Sequence, residues 1–330
     1  MRAVQVVETT GPENLVVTDV PDPQAQPGQV LIEVHSVGTS FPDLLLSRGQ
    51  YQLRPEPPFT LGVDVAGVVV SAPDDRPDLA PGTRVMAAGA YGGACELALF
   101  DPDGVAVLPD SLSFDEGAAL PMNYLTAQFA LAERAQLKAG ETVLVHGAAG
   151  GVGTATIQVA KGYGASSIAV CSTEEKRRVA LAAGAEHAVG VEGFKDAVAE
   201  ITGGRGVDVV MDVVGGEVFT DSLRSLAPQG RLLVVGFAAG QGIPEVKVNR
   251  LLLNNIDVRG VGWGAYAMTH AGYQQQQWAA LAPMLESGVI KPPIGATYPI
   301  EQFGQALLDM DARKTLGKAV VHIREPEPIS

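Results

Sequence analysis

Apolar and polar positions change their rhythm near residue 120. Before it, short β-like runs at 3–7, 15–19, 30–37, 65–70, 84–87 and 94–99 are separated by breakers. Among these are Pro21, Pro23, Pro27, Gly28, Pro57, Pro58, Pro81 and Gly82. Several short strands with such punctuation predict a small barrel or sandwich. Ser113-Phe-Asp-Glu116 then reads as a capping box opening a helix that Pro121 interrupts.

From residue 142 the pattern becomes apolar strand, turn and amphipathic helix, repeatedly. Strands are predicted over 142–146, 167–171, 188–191, 207–213, 231–236 and 256–261, with helices over 154–161, 174–183 and 218–226. Continuous apolar strands alternating with helices predict a parallel sheet covered on both faces, and six of them suit a doubly wound α/β fold. After Trp263 come a helix over 274–287 and a turn-rich stretch at 292–299. Ile300, Phe303, Leu307 and Met310 then recur at helical spacing. A last strand, 318–323, precedes Glu325-Pro-Glu-Pro, where fraying is expected.

At 330 residues the chain is long for one hydrophobic core, so two domains are expected. With 46% apolar and 18% charged residues it has the composition of a well-buried enzyme. A formal charge of −14 argues against nucleic acid and anionic membranes as partners. The run 206–215 is about half of what a bilayer span needs, and the first ten residues lack the apolar core of a signal peptide. Only Cys95 and Cys171 occur, which fits a reducing compartment, and the cytoplasm is the expected location.

The strongest local signal is Thr142-Val-Leu-Val-His-Gly-Ala-Ala-Gly-Gly-Val-Gly-Thr154, a strand running into a glycine-rich turn and a helix. Gly147, Gly150 and Gly153 allow a tight turn, a close backbone approach to a pyrophosphate, and packing of helix on strand. The helix start then favours the anion. Ala148 stands in place of the first glycine of the G-x-G-x-x-G template. An NAD site places a carboxylate at the end of the second strand. Here that position reads Cys171-Ser172-Thr173. Ser172 can hydrogen-bond a 2′-phosphate, and Lys176 or Arg177 can neutralise it, so NADPH is the expected cofactor. Glu174 and Glu175 are placed on the first helical turn, pointing elsewhere.

The whole chain resembles the medium-chain dehydrogenase/reductases, and within them the quinone oxidoreductases of the zeta-crystallin type. Four stretches carry the resemblance: Val145 to Gly153, Leu120-Pro-Met-Asn-Tyr-Leu-Thr126, Glu175-Lys-Arg with Gly184-Ala185, and Gly230-Arg-Leu-Leu-Val-Val-Gly-Phe237. It implies a chaperonin-10-like β-rich catalytic domain, here 1–120 with 265–330, and a Rossmann NADPH-binding domain at 121–264. The nicotinamide would lie in a cleft between them, and two copies would pair through the strand at 256–261. By the same resemblance Thr126, Ala149, Gly151, Val152, Gly236 and Phe237 join the cofactor site. Arg313 would reach the 2′-phosphate.

Zinc alcohol dehydrogenases of the superfamily need a Cys and a Gly-His-Glu turn where this chain has Ser40 and Gly62-Val-Asp64. Neither Ser40 nor Val63 suits zinc, Cys95 stands alone where a structural lobe needs four cysteines, and none of the five histidines is at ligand spacing from another. No metal is therefore expected. Two departures from the quinone reductases are Ser40 in place of the common Asn, and the loss of an aromatic residue near Val191. Without a Lewis acid, reduction of an electrophilic acceptor is the easier chemistry. The expected reaction is hydride transfer from NADPH to a quinone or to the β-carbon of an activated alkene. Tyr51 and Ser40 are the candidate pocket hydroxyls. Asp43 could act as an acid only if burial raised its pKa, and Trp263 and Tyr266 could stack on a flat acceptor. An enoyl-thioester reductase and a non-catalytic NADPH sensor are the alternatives.

Overall fold

A computed structural model describes residues 1–324; the Glu325-Pro-Glu-Pro stretch lies outside the described residues. The first segment contains β1 (Arg2–Val6), β2 (Leu15–Asp19), β3 (Val30–Gly38), α1 (Phe41–Ser47), β4 (Phe59–Thr60), β5 (Asp64–Ser71), β6 (Arg84–Ala88), β7 (Leu97–Phe100), β8 (Val105–Val107) and α2 (Phe114–Ala119). Next come α3 (Pro121–Gln128), β9 (Thr142–His146), α4 (Gly151–Gly162), β10 (Ser166–Cys171), α5 (Glu174–Ala182), β11 (His187–Gly190) and α6 (Phe194–Ile201). They are followed by β12 (Val207–Asp212), α7 (Val218–Arg224), β13 (Leu226–Val234), α8 (Asn249–Asn254), β14 (Asp257–Gly260) and α9 (Trp263–Ala267). The described residues end with α10 (Tyr273–Glu286), β15 (Ile294–Pro299), α11 (Phe303–Asp311) and β16 (Lys318–His322).

These elements form two compact units. One comprises residues 1–122, 272–278 and 292 onward; the other comprises 123–271 and 279–291. In the β-rich unit a sheet runs β15-β16-β3-β5-β6-β8, with β7 also on β3, beside a three-stranded sheet β2-β1-β4. Strand β3 buries Val30, Ile32 and Val34 in alternation, the period-2 pattern of a strand with one face on the core. Gly38 pairs with Asp64 of β5 on one side and with Val320 of β16 on the other. That register brings Ser40, Asp64 and Lys318 to the same end of three neighbouring strands.

The second unit is a six-stranded parallel sheet ordered β11-β10-β9-β12-β13-β14, the doubly wound Rossmann arrangement. Val143, Leu144 and Val145 of β9 are fully buried, as a central strand covered on both faces requires. Each such side chain contributes about 1.5–3 kcal/mol of burial. Because the chain leaves β9 for β10 on one side and later enters β12 on the other, the carboxyl ends of β9 and β12 form the switch point where ligands of this fold bind.

Several elements depart from the sequence-based expectation. The 292–299 stretch contains strand β15, parallel to β16. A Cβ on Gly295 would lie 1.8 Å from the Leu316 carbonyl oxygen, so the glycine marks a close backbone approach rather than a turn. The expected run at 94–99 begins as a strand only at Leu97, while Cys95 bridges to Ala3. Helices α1, α6 and α8 lie outside the expected set, although Phe194, Ala197, Val198 and Ile201 of α6 recur at helical spacing and Ser40 with Asp43 forms a capping box at α1. Leu44, Leu45 and Leu46 are consecutive in α1, which hides its helical period. Helix α6 buries only Phe194 and Val198, and α8 buries nothing.

Candidate active site

The glycine turn is shaped by backbone contact. Gly147 has φ +61°, and a Cβ there would lie 2.9 Å from Val213 Cγ2. A Cβ on Gly153 would lie 2.3 Å from the Gly147 oxygen, so the helix can sit this close to the strand only with glycine at 153. Gly150 differs: the only atom near its virtual Cβ is the Gly147 oxygen, at 3.4 Å. Its outer face is open, and it caps the twelve-residue helix α4, which starts three residues earlier than its apolar pattern indicates. The first-turn N–H groups of a helix have no intrahelical acceptor and favour an anion. Ala149 is buried beneath the turn, and Gly151 and Val152 are half-buried at the helix start.

Other switch-point residues gather around this turn. Asp212 Oδ1, at the end of β12, accepts the N–H groups of Val214 and Gly215 at 2.9 and 2.8 Å. Gly236 and Phe237 follow β13, and Phe237 Cδ1 lies 3.0 Å from a virtual Cβ on Gly215. Phe237 is 40% exposed, as an aromatic side chain free to meet a ligand should be. The Asn123 side chain packs 2.5 Å from a virtual Cβ on Gly151, and Thr126 lies one turn further along α3. Asn123 was missed as a site residue, although it stands inside the Leu120–Thr126 motif. His146, just before the turn, is a satisfied core residue: Nε2 is 2.7 Å from Ser222 Oγ, and burial pushes its pKa down to about 4.

At the end of β10 the expected phosphate group assembles. Lys176 Nζ donates to Ser172 Oγ at 3.4 Å, while Thr173 Oγ1 accepts the Lys176 N–H and caps α5. Burial raises the Cys171 thiol, and the charges of Lys176 and Arg177 oppose that shift, which places both cations beside the strand end. One correction concerns Glu174. It does not point elsewhere but pairs with Arg177 at 2.6 Å, the i,i+3 spacing bringing the two together, so Lys176 is the cation without a carboxylate on it here. Val191 is exposed just past β11. Arg313 lies in the β-rich unit, with φ +59°, at the end of α11.

In the β-rich unit, Ser40, Asp43, Tyr51, Asp64 and Lys318 form a second cluster. Ser40 Oγ donates to Asp64 Oδ2 at 2.7 Å, and Lys318 Nζ donates to both at 2.6 Å. Asp64 Oδ1 accepts the Met122 N–H at 2.8 Å. Asp43 accepts the N–H groups of Ser40 and Gly62, each at 2.9 Å, and so holds the loop that begins α1. Half-buried Tyr51 packs on this unit's core; burial raises its phenol, and the nearby Asp43 carboxylate adds to that. Tyr266 already stacks on His270, with ring centroids 3.8 Å apart, and Trp263 is buried.

Burial pushes the Asp43 carboxyl up to about 7, against the two backbone N–H groups that hold it down. A raised folded value means that the native state binds the proton more tightly. The stability from this group is therefore full below its ordinary value of 3.8 and is lost as pH rises through about 7. The full effect is at most about 4 kcal/mol. The urea-derived stability of wild type relative to Asp43→Asn should fall from pH 4 to pH 8. A difference that does not change with pH would contradict this.

Each of the two units contains a segment that matches a known sequence family. The zinc-binding dehydrogenase family matches residues 151–287, and the alcohol dehydrogenase GroES-like domain matches 26–120. Quinone oxidoreductase-like protein 2 of Bos taurus is 37% identical over 326 residues, covering 98% of this chain and 93% of that protein. The chain belongs to the quinone oxidoreductase family of medium-chain dehydrogenase/reductases. Among solved structures, the quinone oxidoreductase of Pseudomonas syringae is 32% identical, with a TM-score of 0.87 and coverage of 97% and 99%. The Thermus thermophilus quinone oxidoreductase, also solved in complex with NADPH, is 34% identical, with a TM-score of 0.84 and coverage of 98% and 100%.

The zinc in the broader family's description does not fit these residues. Positive charge already sits between Ser40 and Asp64 as the Lys318 ammonium, and Val63 offers no donor atom. Among the described residues no group of three or more His, Cys, Asp or Glu is placed to hold a metal ion. No helix among them is long and apolar enough to cross a membrane.

Proposed function

We propose that this protein, an NADPH-dependent oxidoreductase, reduces a quinone or an α,β-unsaturated carbonyl compound. The observation that carries the cofactor reading is the open face of Gly150 at the start of α4, together with Ser172 and Lys176 at the end of β10. Bound there, NADPH supplies the hydride. Gly147, Ala149 and Gly150 shape the cradle for the pyrophosphate, and the first-turn N–H groups of Gly151, Val152 and Gly153 hold it. Ser172, Lys176 and Arg177 hold the 2′-phosphate, and Arg313 adds a further cation. Thr126, Asn123, Gly236 and Phe237 position the nicotinamide half.

Ser40 and Tyr51 are the hydroxyls that meet the acceptor oxygen as it gains charge. Hydroxyl donors aimed at developing charge lower the barrier without changing protonation state at rest. The chain otherwise supplies orientation and exclusion of water. The edge strand β14, with exposed Val248, Leu252 and Leu253 nearby on or next to α8, is the surface through which two copies pair. Sedimentation equilibrium should give a dimer for wild type and a monomer for Leu252→Glu/Leu253→Glu; a monomeric wild type would contradict that pairing. The compartment that fits this account is the cytoplasm.

A panel of acceptors tests the reaction. An ortho-quinone, a para-quinone, a simple enone and an enoyl thioester are each offered with NADPH, and cofactor oxidation is followed by its near-ultraviolet absorbance. Turnover of the quinones or the enone, unaffected by chelator, is the expected result. Turnover of the thioester alone would replace this reading with an enoyl reductase. Tight NADPH binding with no turnover would replace it with a sensor.

A further inference from the structure

Lys318 is a cation in an unusual place. Its side chain is 4% exposed and that of its partner Asp64 is 0% exposed. Room for the lysine stem exists because residue 38 is glycine: a Cβ there would lie 2.6 Å from Lys318 Cε and 2.1 Å from the Ala118 oxygen. Asp64 has hydrogen-bond donors without it, from Met122 N on one oxygen and Ser40 Oγ on the other. Buried ion pairs are weak sources of stability, since apolar replacements of similar shape are often neutral or better. The ammonium does something the fold does not require: it donates to Ser40 Oγ at 2.6 Å.

A serine hydroxyl has one proton and two lone pairs. With a lone pair engaged by Lys318, Ser40 can act toward a further partner through its proton. That proton points at Asp64 Oδ2, which also holds Lys318 and so keeps a donor if the hydroxyl turns away. An adjacent cation also makes a hydroxyl a stronger donor.

We propose that Lys318 is a positioning residue for the reduction: acting through Ser40, its buried ammonium makes that hydroxyl the hydrogen-bond donor to the acceptor oxygen that gains negative charge. This rests on the reading above, in which Ser40 meets the acceptor. In the reaction the acceptor gains a hydride with its electron pair at carbon, and its π pair moves onto oxygen. A solvent proton completes the product, and Ser40 and Lys318 end as they began. Three neighbouring strands thus deliver a fixed positive charge to the Ser40 hydroxyl.

The test uses the full-length protein and 4-nitrophenol, a phenol whose ionisation is read by absorbance. The NADPH-saturated wild type should lower the pKa of the bound phenol by about one unit, a tenfold preference for the phenolate. Asp64→Asn/Lys318→Met removes both charges together, so no unpaired ion is left buried. It should abolish that lowering and cut quinone kcat about 10- to 100-fold, with NADPH affinity within about twofold. The same variant with normal kcat and an unaltered phenol titration would overturn the proposal. If the double variant does not fold, Ser40→Ala decides, because it leaves Lys318 and Asp64 paired. Loss of the phenolate preference supports action through Ser40, and its retention overturns it. Wild-type turnover in the same assay separates the claims: a wild type that binds no NADPH and reduces no quinone defeats the functional reading itself.

Discussion

A Gly150→Val variant should fold as wild type does and bind NADPH at least about 100-fold more weakly. The backbone at Gly150, φ −86° and ψ 175°, is extended and suits valine. Its virtual Cβ meets only the Gly147 oxygen, at 3.4 Å, so the protein has room for a Cβ there. What the valine would occupy is the open face where we place the pyrophosphate. Displacing the phosphate from two charge-assisted hydrogen bonds, at about 1.5–3 kcal/mol each, corresponds to a loss of about 100-fold or more. Gly153→Ala gives the opposite signature. Its Cβ would lie 2.3 Å from the Gly147 oxygen and 2.7 Å from Ala148 Cα, so thermal stability falls first and affinity follows. Calorimetric titration with NADPH, paired with thermal melts, distinguishes the two. Unchanged NADPH affinity in Gly150→Val would remove the turn from the cofactor site.

The second large effect concerns the choice of cofactor. Ser172→Asp/Lys176→Ala should weaken NADPH about 100-fold while changing NADH less than about threefold. The substitution exchanges a neutral hydroxyl and a cation for a carboxylate beside the 2′-phosphate. Unlike the buried Lys318 pair, this group is solvent-exposed, so a charge contact there is screened and contributes about 1–3 kcal/mol rather than the value of a dry site. The penalty should therefore shrink as salt rises from 0.05 to about 0.5 M, where the Debye length falls to a few ångströms. Loss of both cofactors alike would mean that the variant had damaged the fold. No change in selectivity would place the 2′-phosphate elsewhere. Glu174 makes the prediction sharper, because its pairing with Arg177 leaves Lys176 as the principal charge to remove.

The Rossmann half was legible because its signals are local. Val143 to Val145 form a continuous apolar run, and the glycine spacing follows at once, so period and turn chemistry agree on one arrangement. The same locality revealed Ser172 and Lys176, four residues apart across a helix cap. The Glu174 pairing was not visible, because direction on a first helical turn depends on rotamers that spacing alone does not fix. Lys318 was the greater omission. It is 278 residues from Ser40 and meets it only because β16, β3 and β5 are neighbours in that register. A lone lysine at the start of an apolar strand reads as a solvated end. The signal that could have found it was Gly38, since a strand glycine marks a place where something approaches closely. Helix α1 was obscured by its three consecutive leucines, although the Ser40–Asp43 capping box at its start is a local signal.

The most direct test of the central claim is the rate of para-quinone reduction with NADPH and with NADH, side by side, in the presence of a chelator. The account predicts chelator-insensitive turnover with kcat/KM for NADPH exceeding that for NADH by at least about tenfold, the effect of 1.4 kcal/mol at the 2′-phosphate. Equal use of the two cofactors, or activity abolished by the chelator, would contradict it.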